Sequence, residues 1–515
     1  MKRLGIDFGS SYIKCSDAEK EDLIPLDKKP QGGSDYRIPN IITYYSNGNV
    51  RLGKVNYLKK KEESDTSVVI DKIKLSLADS GWSRRVTEDR TVKASDVTND
   101  IMQSLYNMLH EKNKNENEYR ATITVPVCFS ERQREIVRRA AEKAGFIVES
   151  IITEPAASLF YLMRDELEAD HNVLVIDIGG GTTDICLAKI VHRGETCEII
   201  FESSLGMNFG GITINNAIID KILLPRYKDK LEPILINEKE KNIAEWNRAK
   251  LFYDVDEIKG EIFTEDCDEE DNEEEHEIIY SSYNDNFDLS ISAADIYQMF
   301  DDMKLRETIC SLIEEVIDDS TMTCDEITDV FLTGGTSLIP YFKKVVVEYL
   351  QDNGIDDAEP LFELYEGLEI DEQAVGAVAL GAGIYNELMA DSDENMIIND
   401  KIPFVVFSYD EKGNTVTKLT ADCMYKDYRS MSCSINRSAG KDRIELYQKL
   451  PGAMGDTVYI GYISIDEDIR NTCTLYRLGI DNDRRIFAEF GINEGSRDDA
   501  QFVPQFPKRY LEIED

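Results

Sequence analysis

The chain is 515 residues long and sets 100 Asp or Glu against 58 Lys or Arg, a formal charge of −42. That charge repels the phosphates of nucleic acids and anionic membranes, so neither is expected as a partner. Ten cysteines without a C-x-x-C pair and four scattered histidines offer no disulfide frame or zinc site and point to reduced thiols in a cytoplasm.

A chain of this size has room for roughly two to four domains. Its first segment, MKRLGIDFGSSYIKC, enters a strand pattern at once, turns at Gly9, Ser10 and Ser11, and resumes as a second strand. It lacks the apolar core of roughly 7–15 residues that a signal peptide needs. No later segment reaches the ~18–20 apolar residues of a membrane span. SVVIDKIKLSL (67–77) sets Lys72 and Lys74 before an apolar run. ATITVPVCF (121–129) is a buried strand broken by Pro126. A helix follows over SERQREIVRRAAEKAGF, with Ser130 as its cap and Gly145 as its stop. IVESIITEPAASLFYLM (147–163) then reads as a strand, a break at Glu154–Pro155 and another helix.

VIDIGGGTTDICLAKI (175–190) repeats the opening pattern: an apolar strand, Asp177, a glycine turn, hydroxyls, a second strand. Three consecutive glycines cost more backbone entropy than a plain turn requires. They suit a turn whose bare N–H groups must approach an anion, most often phosphate. Farther on, EDCDEEDNEEE (265–275) lacks the ligand spacing of a calcium loop and reads as a solvated loop. A third glycine turn, DVFLTGGTSLIPYF (329–342), leads into a helix. None of the three is followed by Gly-Lys-Ser/Thr, so a Walker loop is not expected.

Composition changes at LMADSDENMIINDKIP (388–403), which reads as a linker around the apolar knot Met396-Ile397-Ile398. Beyond it come short alternating strands: RIELYQ, TVYIGYISI, TLYRLGI and RRIFAEFGI, the last two flanking the turn signal Asp481-Asn482-Asp483. The alternation of strands and helices before the linker favours an α/β architecture. Two Asp-Gly hairpins about 170 residues apart suggest a duplicated domain whose halves share one phosphate chain.

That arrangement resembles the actin-fold ATPases, and within them the DnaK-like 70-kilodalton heat-shock chaperones. The resemblance rests on the three turns, on TVPVCFSERQRE, AGF and IITEPAAS within 124–158, on NFGGITINNAI (208–218), on NRAK (247–250) and on DEQAVGAVALGAG (371–383). It implies an actin-like ATPase of two lobes over 1–387, a linker over 388–402, and a β-rich substrate-binding domain over 403–515 without the family's helical lid. ATP or ADP, Mg2+ and K+ are the cofactors it implies. Asp7 and Asp177 match the two aspartates that face the Mg-bound phosphates. Gly9, Ser10, Ser11 and Tyr12 match one phosphate loop; Gly179, Gly180, Gly181 and Thr182 match the other. Gly210, Gly211, Lys250, Gly334, Gly335 and Thr336 match further nucleotide contacts. Glu154 matches the catalytic-site glutamate, and Lys74, or failing it Lys72, the phosphate lysine. Pro126 and Arg134 match the pair that couples nucleotide state to the neighbouring domain.

The adenosine pocket departs from the pattern: Asn247 stands for a glutamate, Leu338 for an adenine-stacking arginine and Val375 for an aspartate. The implied function is ATP hydrolysis controlling the grip of the β-domain on unfolded or extended polypeptide, assisted by a co-chaperone and an exchange factor. The alternatives are an ATP-binding interaction protein without refolding activity, an actin-like filament protein and, last, a sugar kinase.

Overall fold

The computed structural model describes the chain except residues 29–33, 54–66, 115, 117, 164–168, 195, 265–272, 363–374, 392–395, 401–403, 410–413, 421–427, 431–432, 436–441, 450–456, 482–483, 495–500 and 514–515. Most of the acidic run, the start of DEQAVGAVALGAG, the middle of the linker and the turn at Asn482-Asp483 therefore lie outside the described residues.

Two hairpins with the same register organise the N-terminal part. In the first, β1 (Lys2–Phe8) pairs antiparallel with β2 (Tyr12–Asp17), and Asp7 faces Lys14. α1 (Ile73–Ser76) follows a short three-stranded sheet. β3 (Tyr119–Val125) lies parallel to β1. α2 (Glu131–Ala144) starts where Ser130 Oγ accepts from Gln133 N, and it stops at Gly145, left-handed with φ 111°. β4 (Ile147–Thr153) lies parallel to β3, giving the order β4-β3-β1-β2, and runs directly into α3 (Glu154–Leu162).

The second half repeats the plan. β5 (His171–Ile178) pairs antiparallel with β6 (Thr183–Arg193), with Asp177 opposite Asp184, and β6 pairs with β7 (Thr196–Met207). A long helix, α4 (Lys241–Thr264), belongs to a subdomain above this sheet. β8 (Asp329–Thr333) lies parallel to β5, as β3 does to β1. Residues 173–178 are buried throughout because both faces of the sheet are covered. α5 (Val375–Asp391) crosses α3 so closely that a Cβ on Gly381 would collide with the Ala157 carbonyl. The two helices lie between the sheets, and their apolar faces share one core with β5, β6 and β7. The duplicated two-lobed α/β fold expected from the sequence is thus the fold observed.

The segment read as a linker begins inside α5 and is not free along its length. β9 (Met396–Asp400) pairs parallel with β7 and closes the order β8-β5-β6-β7-β9. The apolar knot, with two β-branched isoleucines, finds an open sheet edge, and Ile398 packs on the core beneath.

The C-terminal part has two sheets. One joins β10 (Val405–Tyr409), β11 (Thr415–Leu419), β12 (Arg443–Lys449) and β13 (Thr457–Ser464) in the order β11-β10-β12-β13. The other is built on β14 (Leu475–Ile480), β15 (Ile486–Glu494) and β16 (Gln501–Pro504). Leu446, Ile460, Leu478 and Phe490 fill the space between them with no exposure. One element is absent from the all-β expectation: a short helix, Glu467–Thr472, capped by Asp466. The sandwich sits against α2, where Glu131 N donates to Gln448 Oε1 at 2.8 Å and Arg485 lies 3.8 Å from Glu135. No helix among the described residues is long and apolar enough to cross a membrane.

Candidate active site

The two hairpin tips face each other. A Cβ on Gly180 would collide with Ser11 Oγ, and one on Gly181 with Ser10 Oγ. Each tip is held by its carbonyls. Asn40 donates its side-chain amide to Gly9 O at 2.8 Å and its N–H to Ser11 O at 2.8 Å. Across the cleft, Gly179 O accepts from Thr336 Oγ1 at 2.8 Å and Gly211 N at 3.1 Å, while Gly180 O accepts from Ile212 N at 2.7 Å. Gly334 has φ 85°, and a Cβ there would strike the Asp177 carboxylate, so only glycine fits. Gly179 N is itself taken, donating to Thr182 O at 2.9 Å; the other N–H groups at the two tips are the donors that suit an anion.

Beneath the tips the sheets deliver a cluster of charge. Asp7, Glu154, Asp177 and Asp184 are 4, 6, 3 and 0% exposed, and Lys74 is 1% exposed. Lys14 Nζ is 2.8 Å from Asp7 Oδ2, and Lys74 Nζ forms a buried ion pair with Glu154 Oε1. Asp184 Oδ1 accepts from Val127 N at 2.7 Å, and its Oδ2 is buried without a hydrogen-bond partner. Burial, reinforced by the Glu154 carboxylate, pushes Asp184 up to about 8. Burial raises Asp177 well above its ordinary range, with Glu154, Asp184 and Asp7 adding repulsion. Glu154 is also raised by burial, against the pull of Lys74.

Such a cluster wants a cation. Among the described residues no group of three or more His, Cys, Asp or Glu is placed to hold a metal by itself. Magnesium does not need one, because it is usually bound through one or two carboxylates, retained waters and substrate phosphates. Asp7 and Asp177 on opposing hairpins, with the orphaned oxygen of Asp184, fit a Mg-bound phosphate chain.

The remaining expected residues are placed as follows. Lys74 reaches the cluster; Lys72 instead puts its Nζ 3.5 Å over the Phe252 ring of the other lobe. Tyr12 lies beside Arg37, whose guanidinium is 5.3 Å from its ring, and Thr182 is buried at the second tip. Gly210 packs on Gly179 and Gly180, whereas Gly335 is exposed with nothing near it. Lys250 is not brought to the cluster: it pairs with Asp254. Asn247, almost fully buried, donates to Ile234 O and accepts from Tyr283 N inside its own lobe. Pro126 O accepts from Phe129 N, and Phe129 O accepts from Arg134 Nε at 3.4 Å. Arg134 pairs with Glu131 rather than reaching Glu154; Phe129, 5.7 Å from Lys74 Nζ, stands between.

Lys14, Asn40 and Asp184 escaped the sequence reading as site residues. Two of them carry a signal: Lys14 and Asp184 each stand seven positions after the hairpin aspartate, the residue opposite it in the ladder. Asn40 carries none, because its role depends on a loop folding back on the turn.

A family model described as Hsp70 protein matches residues 51–442, well over half of the chain.

Proposed function

The chain belongs to the Hsp70 family, and from that premise we propose that its cleft hydrolyses ATP to set the affinity of the β-domain for extended polypeptide. The observation that carries the reading is the meeting of two glycine- and serine-tipped hairpins above four buried carboxylates and Lys74. The tips cradle the phosphates through main-chain N–H groups. Asp7 and Asp177 would hold a magnesium ion, which would supply positive charge against the phosphates. Lys74 sits where charge develops on the transferring phosphoryl group. Glu154, at the first turn of α3, orients the attacking water, and Thr182 supplies a hydroxyl beside the γ-phosphate.

Communication with the β-domain follows from the packing. Val127 N is tied to Asp184 and Arg134 to Phe129 O, so a shift of the cluster moves the segment 126–134 that opens α2. The β-domain rests on α2 through Gln448 and Arg485. Residues 388–402 serve as the linker, in the cytoplasm, with a co-chaperone and an exchange factor as further partners.

The test is phosphate release by the full chain with Mg·ATP, with and without an unfolded apolar peptide. Peptide stimulation supports the coupled reading. Turnover without stimulation leaves an ATPase whose β-domain does something else.

A further inference from the structure

The contact between α2 and the β-domain encloses a cavity of about 20 Å³. Its charged walls are Arg134 and Arg138 from α2, Arg484 and Arg485 from the turn between β14 and β15, and the carboxylates Glu131 and Glu135. Among the described residues the guanidiniums therefore outnumber the acids there, in a chain of 100 acids and 58 bases.

That excess is only partly answered within the protein. Glu135 is shared: it lies 2.9 Å from Arg139, 4.0 Å from Arg138 and 3.8 Å from Arg485. Arg134 Nε is 3.4 Å from Glu131 Oε1, and the Arg134 residue is 5% exposed. Beyond these contacts, Arg134 Nη2 and Arg485 Nε are buried with no hydrogen-bond partner among the described residues. A buried donor on a charged group is costly to leave unsatisfied. The turn that brings two of the arginines is itself costly. Arg484 has φ 61°, in the left-handed region that side chains of its size rarely adopt. Asp481 holds it there, its O accepting from Arg484 N at 3.0 Å and its Oδ1 from Arg485 N at 2.9 Å. Strain of this kind concentrates at ligand sites.

We propose that this cavity binds a monatomic anion, chloride, which accepts from the Arg134 and Arg485 guanidiniums and fastens the β-domain to α2. Size selects the ligand: the space suits one water molecule or one halide, and a phosphate or a peptide carboxylate is larger. Charge then selects between the two, because water brings lone pairs but nothing to balance the surplus of guanidiniums. Burial pushes Glu131 up to about 7, with Glu135 adding to the rise and Arg134, Arg138 and Arg484 opposing it. Near neutrality that carboxyl is partly protonated, which widens the positive surplus. An anion beside Glu131 favours its neutral form, so chloride should bind more tightly as pH falls through about 7.

The test uses the full chain without nucleotide and so stands apart from the reading of the cleft. At pH 6.5 and equal ionic strength, the melting temperature should be about 2 °C or more higher in sodium chloride than in sodium gluconate. The margin should shrink at pH 8. Chlorine-35 line broadening at subsaturating chloride should fall by about threefold or more in Arg485→Gln, the loss expected for one charged hydrogen bond. Melting that is equal or lower in chloride overturns the site. An equal margin at both pH values would place the ion away from Glu131 and overturn it too, as would undiminished broadening in a folded Arg485→Gln. The salt comparison on the parent needs no variant, so misfolding of Arg485→Gln cannot hide the answer.

Discussion

Lys74 and Glu154, 80 residues apart in the chain, meet as a buried ion pair at the floor of the cleft. Lys74 enters from α1 and Glu154 from the first turn of α3, so the pair joins two segments that no local pattern connects. Alongside Lys14, which pairs with Asp7, it gives the carboxylate cluster a buried cation.

Removing that cation should destabilise the fold as well as the chemistry. Lys74→Met leaves Glu154 buried near Asp7 and Asp177, and breaking a buried pair costs ~3–5 kcal/mol. Glu154 can escape by taking up a proton. Denaturant unfolding should therefore show the deficit at pH 8 and a clearly smaller one at pH 5. Equal deficits at both would mean that Lys74 contributes packing, not charge.

The raised carboxylates set a pH dependence. Burial and the Glu154 carboxylate push Asp184 up to about 8 from an ordinary 3.8. Between those values the folded state holds a proton that the unfolded state has lost, so ligand-free stability declines as pH rises through about 8 and then levels. A cation in the cluster competes with the proton. A fixed concentration of Mg·ADP, half-saturating at pH 6.5, should raise the melting temperature more at pH 8.5 than at pH 6.5. A gain that is flat or falls with pH contradicts the assignment of the cluster to the cation.

The contact between α2 and the β-domain gives a third expectation. Gln448 is fully buried and accepts from Glu131 N, and Arg485 faces Glu135. In Gln448→Ala, Glu131 N loses its acceptor, at about 1–3 kcal/mol. Peptide should then stimulate turnover weakly or not at all, while basal turnover stays within about twofold of the parent. Undiminished stimulation would mean that coupling runs by another route.

Much of this was legible in the residues. The hairpins announce themselves because a strand, an aspartate, a bare turn and a second strand are contiguous at 4–15 and again at 175–190, and a third glycine turn at 329–342 leads from a strand into a helix. Ser130 and Gly145 mark the ends of α2 because capping is local chemistry. What stayed hidden depends on approach between distant segments. Asn40 needs a loop to fold onto Gly9, and the Arg134–Phe129 contact needs the turn after Pro126. The NRAK motif names Asn247 and Lys250 but not their partners, Ile234, Tyr283 and Asp254, which depend on how their own lobe folds. Met396-Ile397-Ile398 reads in sequence as a knot in a linker, and its pairing depends on an open sheet edge that only the fold supplies.

The central claim is that this cleft hydrolyses ATP and that Asp177 faces the metal. Single-turnover phosphate release from Mg·ATP, measured for the parent and Asp177→Asn, tests it most directly. Losing a preorganised electrostatic group should slow hydrolysis by ~10²–10³. Because Asn removes a carboxylate that burial and its neighbours disfavour, the variant should melt no lower than the parent. Phosphate release at the parental rate by a folded Asp177→Asn would contradict the account.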